Sequence, residues 1–129
     1  IVVDDFPEAY PKEEAKFTVS GQEVYLLNVA NFGSGIQMKK GGSYIANAKA
    51  FSKKILSVKL TAQEGKTANL DMTLFAGSSA KPESNEITAS KTETTATFDL
   101  SSGDYKFFTL KNASAGVAYF SKIEITLAK

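Results

Sequence analysis

Apolar and polar residues alternate with a period of two along several stretches of the chain, and helical spacing is almost absent. In one such stretch Leu56, Val58 and Leu60 alternate with Ser57 and Lys59. A period of two puts successive side chains on opposite faces, so the pattern predicts antiparallel strands with one buried and one wet face. The residues expected in the core on this basis are Leu56, Val58, Leu60, Leu70, Met72, Leu74, Phe98, Leu110, Ile123 and Ile125.

The C-terminal segment shows this alternation over its greatest length. Its apolar residues of one parity are Val117, Tyr119, Ile123, Ile125 and Leu127, interrupted only by Ser121. We therefore expect Tyr119 to point into the core, as we do the aromatic residues Phe17, Phe98 and Phe108.

Glycine and serine clusters separate the apolar stretches and predict turns. The sequence Gly41-Gly42-Ser43 favours a hairpin between residues 36–40 and 44–48, because glycine adopts the positive φ that tight hairpins need. Residues 78–95 predict a long exposed loop with one weak strand near Ile87. Residues 11–16 predict at most one short helical turn. About nine strands result, which is typical of an all-β, antiparallel β-sandwich or barrel.

The composition fits a single domain over residues 1–129, with 43% hydrophobic and 22% charged residues. The chain contains no Cys, His or Trp, and its fifteen basic residues are all Lys. This excludes a Ser-His-Asp triad, a cysteine nucleophile, a zinc site of imidazole or thiolate and an arginine clamp. We therefore expect no enzymatic activity and no required cofactor.

The net charge of +1, with both signs interspersed, is unlike that of a nucleic-acid-binding domain. No apolar run reaches the length of about 20 residues needed for a transmembrane helix, so we expect no membrane span. A chain beginning with Ile1 is expected to be processed or to belong to a longer protein.

Seven apolar-rich runs follow one another along the chain. They are IQMKK at 36–40, YIAN at 44–47, ILSVKL at 55–60, LFAGSS at 74–79, ATFDL at 96–100, YKFFTLKN at 105–112 and AYFSKIEI at 118–125. Their order resembles that of the jelly-roll sandwiches of carbohydrate-binding modules and galactose-binding-like domains of secreted or surface-anchored bacterial proteins. The resemblance covers residues 17–127 and rests on strand patterning.

This resemblance implies a noncatalytic accessory module that binds a glycan outside the cell or at its surface, as a monomer or within a larger chain. Without Trp, Tyr and Phe would stack on the sugar rings, and amide or ammonium groups would bind the hydroxyls. The candidate ligand residues are Tyr44, Tyr25, Phe32, Tyr105, Gln37, Lys39 and Asn47. An ordinary core or turn role is the competing interpretation for each of them.

The resemblance also implies a structural calcium ion held by acidic residues near the two termini. Asp4, Asp5 and Glu124 are the candidates, and the competing interpretation is that all three are solvated. The alternative function is a protein-interaction, adhesion or spacer domain of a surface protein, which an exposed apolar patch without converging polar groups would favour.

Overall fold

The structure is a computed structural model that describes residues 2–3, 6–31, 35–66 and 72–129. Within these ranges the chain forms strands and no helix. The strands are β1 (Val2–Val3), β2 (Ala15–Val19), β3 (Gln22–Leu27), β4 (Val29–Asn31), β5 (Ile36–Met38), β6 (Ser43–Asn47), β7 (Ile55–Ala62), β8 (Met72–Gly77), β9 (Glu86–Ile87), β10 (Ala89–Lys91), β11 (Thr95–Asp99), β12 (Phe107–Asn112) and β13 (Ala118–Leu127).

The strands form two antiparallel sheets, and the fold is a β-sandwich. One sheet has the order β10-β11-β7-β13-β5-β4, with β1 paired to β13 as a branch. We call it the seven-stranded sheet. The six-stranded sheet has the order β2-β3-β6-β12-β8-β9. Strands far apart in sequence therefore become neighbours, most clearly in the pairing of β6 with β12.

The inner faces of the two sheets form one hydrophobic core, in which Phe98, Phe108 and Phe120 are among the largest fully buried side chains. The predicted core is confirmed for most of its members, because each strand puts its apolar parity inward. The confirmed residues are Val58, Leu60, Met72, Leu74, Phe98, Leu110, Ile123 and Ile125. Leu70 lies outside the described residues.

Two register shifts in the pairing of β7 with β13 overturn the inward assignment of Leu56 and Tyr119. Ser121 and Leu56 each lack a Cα partner across this pair. The extra residue on each strand reverses the parity beyond it, as a β-bulge does. Consequently Phe120 and Ile55 are fully buried, whereas Tyr119 and Leu56 are half-buried.

The hairpin predicted at Gly41-Gly42-Ser43 is wrong. β5 belongs to the seven-stranded sheet and β6 to the six-stranded sheet, so this turn carries the chain from one layer to the other. The amides of Gly41 and Gly42 donate to the carbonyls of Ser114 and Asn112 at 3.1 and 2.7 Å. Gly41 and Gly42 have φ values of 79° and 117°, which explains why the turn needs glycine.

The expectations for residues 11–16 and for residues 78–95 also need correction. Residues 12 and 13 form a bend, and Ala15 already begins β2, so no helical turn forms over residues 11–16. The mostly exposed segment 78–95 contains two short strands, β9 and β10, one on each sheet. The thirteen strands of the described ranges exceed the predicted nine mainly through such short elements.

In the described part of the chain, no helix has the length and apolar character to cross a membrane.

Separate alanine substitutions of Phe120 and Tyr119 test the bulge at Ser121. We expect Phe120→Ala to lower the free energy of unfolding by about 3–5 kcal/mol, because it empties a fully buried site. Tyr119→Ala should cost about 1 kcal/mol or less, because that ring lies on the outer face. Urea denaturation measures both, with Phe120→Leu as a milder variant that keeps the fold. Equal losses for the two alanine variants would contradict the bulge.

Candidate functional site

The outer face of the six-stranded sheet carries a row of four side chains across its central strands. Tyr25 on β3 is opposite Ala46 on β6, Ala46 is opposite Thr109 on β12, and Thr109 is opposite Phe75 on β8. Residues aligned in this way point to the same face. Two aromatic rings therefore flank two short side chains, which makes this part of the sheet a trough.

A concave site of about 340 Å³ lies over this trough. Its walls come from β6, β8 and β12 and from the loop that follows β8. Its lining residues are Tyr44, Phe75, Lys81, Pro82, Glu83, Thr109 and Lys111. We call this site the tyrosine groove. It combines apolar rings with ammonium, carboxylate and hydroxyl groups, the mixture found in small-ligand sites.

The floor of the tyrosine groove contains an unsatisfied polar atom. Thr109 is 7% exposed, and its hydroxyl oxygen is buried without a hydrogen-bond partner among the described residues. Its neighbour Ala46 is fully buried even though it points outward. A buried hydroxyl without a partner is costly, so this position favours a ligand or water that bonds to it.

An ion pair at the edge of the groove joins its lining residue Lys81 to Glu14. Glu14 precedes β2, Lys81 lies in the loop after β8, and the Lys81 Nζ is 2.8 and 3.0 Å from the two carboxylate oxygens of Glu14. The Tyr44 hydroxyl also donates to Glu14. The hydrogen bond from Lys81, followed by that from Tyr44, lowers the pKa of Glu14. Burial and the bond to Glu14 raise the pKa of Tyr44, so Tyr44 is a neutral donor at physiological pH.

Tyr25 lies on the far side of this ion pair. The Lys81 and Lys16 ammonium groups are 5.1 and 5.6 Å from the centre of its ring. Both distances fall within the range of cation–π attraction. The Lys81 side chain thus links the carboxylate of Glu14 to the ring of Tyr25, and covers part of that ring.

The structure divides the predicted ligand residues among several places. Tyr44 lines the tyrosine groove, and Tyr25 lies beside it on the same sheet in contact with Lys81. Gln37 and Lys39 belong to or follow β5 in the other sheet. Tyr105 is half-buried and packs against the core. Phe32 lies outside the described residues.

Asn47 serves the interior of the protein. It is 1% exposed, its amide donates to the carbonyls of Lys49 and Lys106 at 2.7 and 2.9 Å, and its oxygen accepts from the Phe108 amide at 2.9 Å. These bonds fix the start of β12 and leave no part of the side chain facing the tyrosine groove.

The predicted cation site is described only at Glu124. This residue lies in β13 opposite Val2, and its carboxylate is 3.4 Å from the Lys122 ammonium. Asp4 and Asp5 lie outside the described residues. Over the ranges that are described, no three His, Cys, Asp or Glu side chains cluster as metal ligands would.

Most residues of the tyrosine groove were not identified from the sequence. Phe75 was accessible to prediction, because its parity is opposite to that of Leu74 and so points outward. Thr109 and Lys111 become groove residues only through the pairing of β12 with β6 and β8. Glu14 and Lys81 are 67 residues apart, and no local pattern places them together.

Comparison with known proteins adds no family assignment. No protein-family model matches this chain, and no curated protein sequence matches it significantly.

The Glu14–Lys81 pair should give the protein a small, pH-dependent stability. Because the folded-state pKa of Glu14 is lowered, its contribution is present above the ordinary glutamate pKa and is lost as the pH falls through the folded value. We expect Glu14→Gln to reduce the melting temperature by about 1–3 °C at pH 7, and this difference to shrink progressively as the pH falls below the ordinary glutamate pKa. Calorimetric scans at several pH values measure it. The neighbouring exposed Glu13→Gln is the control, and an equal effect of both variants would argue against the pair.

Asn47→Ala should destabilise the fold by about 2–4 kcal/mol, because it leaves the buried Phe108 amide without its acceptor. Asn31→Ala, at the end of β4, should cost less than about 1 kcal/mol. Chemical denaturation compares the two. A neutral Asn47→Ala variant would show that the amide does not hold β12 in place.

Proposed function

We propose that this domain is a noncatalytic carbohydrate-binding accessory module, a sandwich of the jelly-roll class from a secreted or cell-surface bacterial protein. The observation that carries the proposal is the tyrosine groove, where aromatic rings flank a floor with an unpartnered hydroxyl. A glycan in this groove is the ligand class that its chemistry fits best.

Aromatic surface supports the proposal because the C–H faces of a sugar ring pack on aromatic planes. Tyr44 and Phe75 line the groove, are both half-buried and stand on either side of β12. A sugar ring lying over Thr109 would contact both of them.

Polar groups around the groove support it further. Thr109 offers a hydroxyl, Lys111 and Lys81 offer ammonium donors, and Glu83 offers an acceptor. Vicinal sugar hydroxyls need donors and acceptors together, and this set supplies both.

The pKa shifts of the described carboxyl groups agree with binding without catalysis. A glycosidase needs one carboxylic acid with a raised pKa beside a second carboxylate. The described carboxyl groups with shifted pKa values are Glu14, Glu23 and Asp99, and in each case hydrogen bonds lower the pKa. Glu14 is held as a carboxylate by Lys81 and Tyr44, so it is poorly suited to act as a general acid.

The prediction is that Phe75→Ala and Tyr44→Ala each weaken glycan binding at least about fivefold, because each removes roughly 1 kcal/mol or more of stacking. Affinity of the unmodified domain should lie nearer millimolar than nanomolar, since a shallow site gains little net free energy. Glycan-array screening selects the ligand, and calorimetry measures its dissociation constant.

Tyr119→Ala is the matched control, because it removes a half-buried tyrosine from the opposite sheet. Its affinity for a neutral glycan should stay unchanged, because its ring lies on the opposite sheet. If no plant, host or microbial polysaccharide binds at millimolar sugar, the protein-interaction or spacer function is correct instead. If Tyr119→Ala weakens the binding of a neutral glycan as much as Phe75→Ala does, the tyrosine groove is not the site.

A further inference from the structure

A second group of aromatic and charged side chains lies on the outer face of the seven-stranded sheet. It contains Tyr10 from the segment before β2, Gln37 and Lys39 from β5 and its end, Lys66 from the turn after β7, and Tyr119 from β13. We call it the lysine–tyrosine surface. Four separate segments of the chain meet there, as in a built binding site.

The geometry of this surface is set by strand pairing and by ring contacts. Tyr119 lies directly opposite Gln37 in the β5–β13 pair. The Lys39 ammonium is 4.3 Å from the centre of the Tyr10 ring, and the Lys66 ammonium is 4.7 Å from the centre of the Tyr119 ring. Burial, and then the nearby phenol of Tyr119, raises the pKa of Tyr10, so the two phenols lie within electrostatic reach of each other.

The two ammonium groups contact tyrosine rings but no carboxylate among the described residues. The ion pairs among the described residues are Lys49–Glu23, Lys81–Glu14 and Lys122–Glu124, so neither Lys39 nor Lys66 has a carboxylate partner there. Contact with a ring face holds an ammonium group in place but leaves its full charge and its N–H donors. Two ammonium groups without carboxylate partners on one surface repel each other, and an anion bound at that surface relieves the repulsion.

Gln37 adds a hydrogen-bond acceptor to the lysine–tyrosine surface. Its amide oxygen is buried without a hydrogen-bond partner in the described part of the chain. A buried acceptor of this kind favours a ligand that also brings a hydroxyl or water donor.

We propose that the lysine–tyrosine surface is an oxyanion-binding site that takes a carboxylate or sulfate group, separate from the tyrosine groove on the opposite sheet. Lys39 and Lys66 bind the charged oxygens, the faces of Tyr10 and Tyr119 position the two lysines, and Gln37 accepts a hydrogen bond from a hydroxyl next to the anion. A sugar that carries an acidic group has this chemistry, and so does the free inorganic anion in water.

The experiment is a ¹⁵N NMR titration of the whole domain with sodium sulfate and with sodium glucuronate. Sodium chloride at matched ionic strength and neutral glucose serve as the reference titrations. We expect sulfate and glucuronate to shift the amides of Gln37, Lys39, Lys66 and Tyr119 to saturation, while amides around Tyr44 and Thr109 stay unchanged. Saturation by glucuronate identifies an acidic sugar as the source of the oxyanion, and saturation by sulfate alone identifies the free anion.

Lysine variants decide whether the site is specific. Lys39→Met and Lys66→Met should each weaken binding by about three- to tenfold, the scale of one charge-assisted hydrogen bond at a partly exposed position. Lys40→Met removes the same charge from the adjacent exposed residue and should leave the affinity unchanged. An equal loss in Lys40→Met, or identical shifts with chloride and sulfate, would overturn the proposal. The outcome is independent of the tyrosine groove, because neutral-glycan binding is measured at different amides.

Discussion

Two buried amide side chains hold β12, the central strand on which the tyrosine groove depends. Asn47 accepts a hydrogen bond from Phe108 at the start of β12, and Asn112 at its end donates to the carbonyls of Met38 and Gly116. Met38 belongs to β5 in the seven-stranded sheet, so Asn112 also ties the two layers together. Polar groups that are buried and fully bonded fix geometry in a way that apolar packing alone does not. With β12 fixed at both ends, Thr109 and Lys111 take defined positions between β6 and β8.

Lysine ammonium groups contact tyrosine rings on both outer faces, but the two faces differ in whether a carboxylate pairs with the lysine. On the six-stranded sheet, Lys81 contacts the Tyr25 ring and is also neutralised by Glu14. On the seven-stranded sheet, Lys39 and Lys66 contact tyrosine rings but have no carboxylate partner among the described residues. A chain without arginine has only lysine for cation–π contacts and ion pairs, and the placement of acidic residues decides which surface keeps its positive charge. One face is therefore suited to neutral, hydroxyl-rich ligands and the other to anions.

The alternation of residues was sufficient to predict the β-sandwich and most of its core, because each strand must bury its apolar parity. The prediction of buried and outer faces was wrong beyond Ser121 and at Leu56. One additional residue in a strand moves every side chain beyond it to the opposite face, and the composition of the strand does not reveal the extra residue. Gly41 and Gly42 indicated a tight turn, but not whether the next strand lies in the same sheet or in the other one. A turn between the two sheets and a hairpin within one sheet require the same positive φ. The sites were less predictable than the fold. Tyr25 and Tyr44 were predicted as candidate ligand residues, and the parity of Phe75 was accessible as well. Glu14 and Thr109 join them only through contacts between segments far apart in the sequence.

Under the proposed function, the Glu14–Lys81 pair would limit how strongly the tyrosine groove binds a sugar. A ring that stacked fully on Tyr25 would displace the Lys81 ammonium, and with it a cation–π contact and two hydrogen bonds to Glu14. In the described part of the chain, no lysine ammonium lies over the rings of Tyr44 and Phe75, and Tyr44 contacts Glu14 through its hydroxyl. A ligand that binds without breaking the ion pair therefore uses the region between Tyr44, Thr109 and Phe75, where the unpartnered hydroxyl also lies. Because Lys81 of this pair lines the groove, a ligand that bound there with the pair intact would be confined to the β12 side and would gain little free energy.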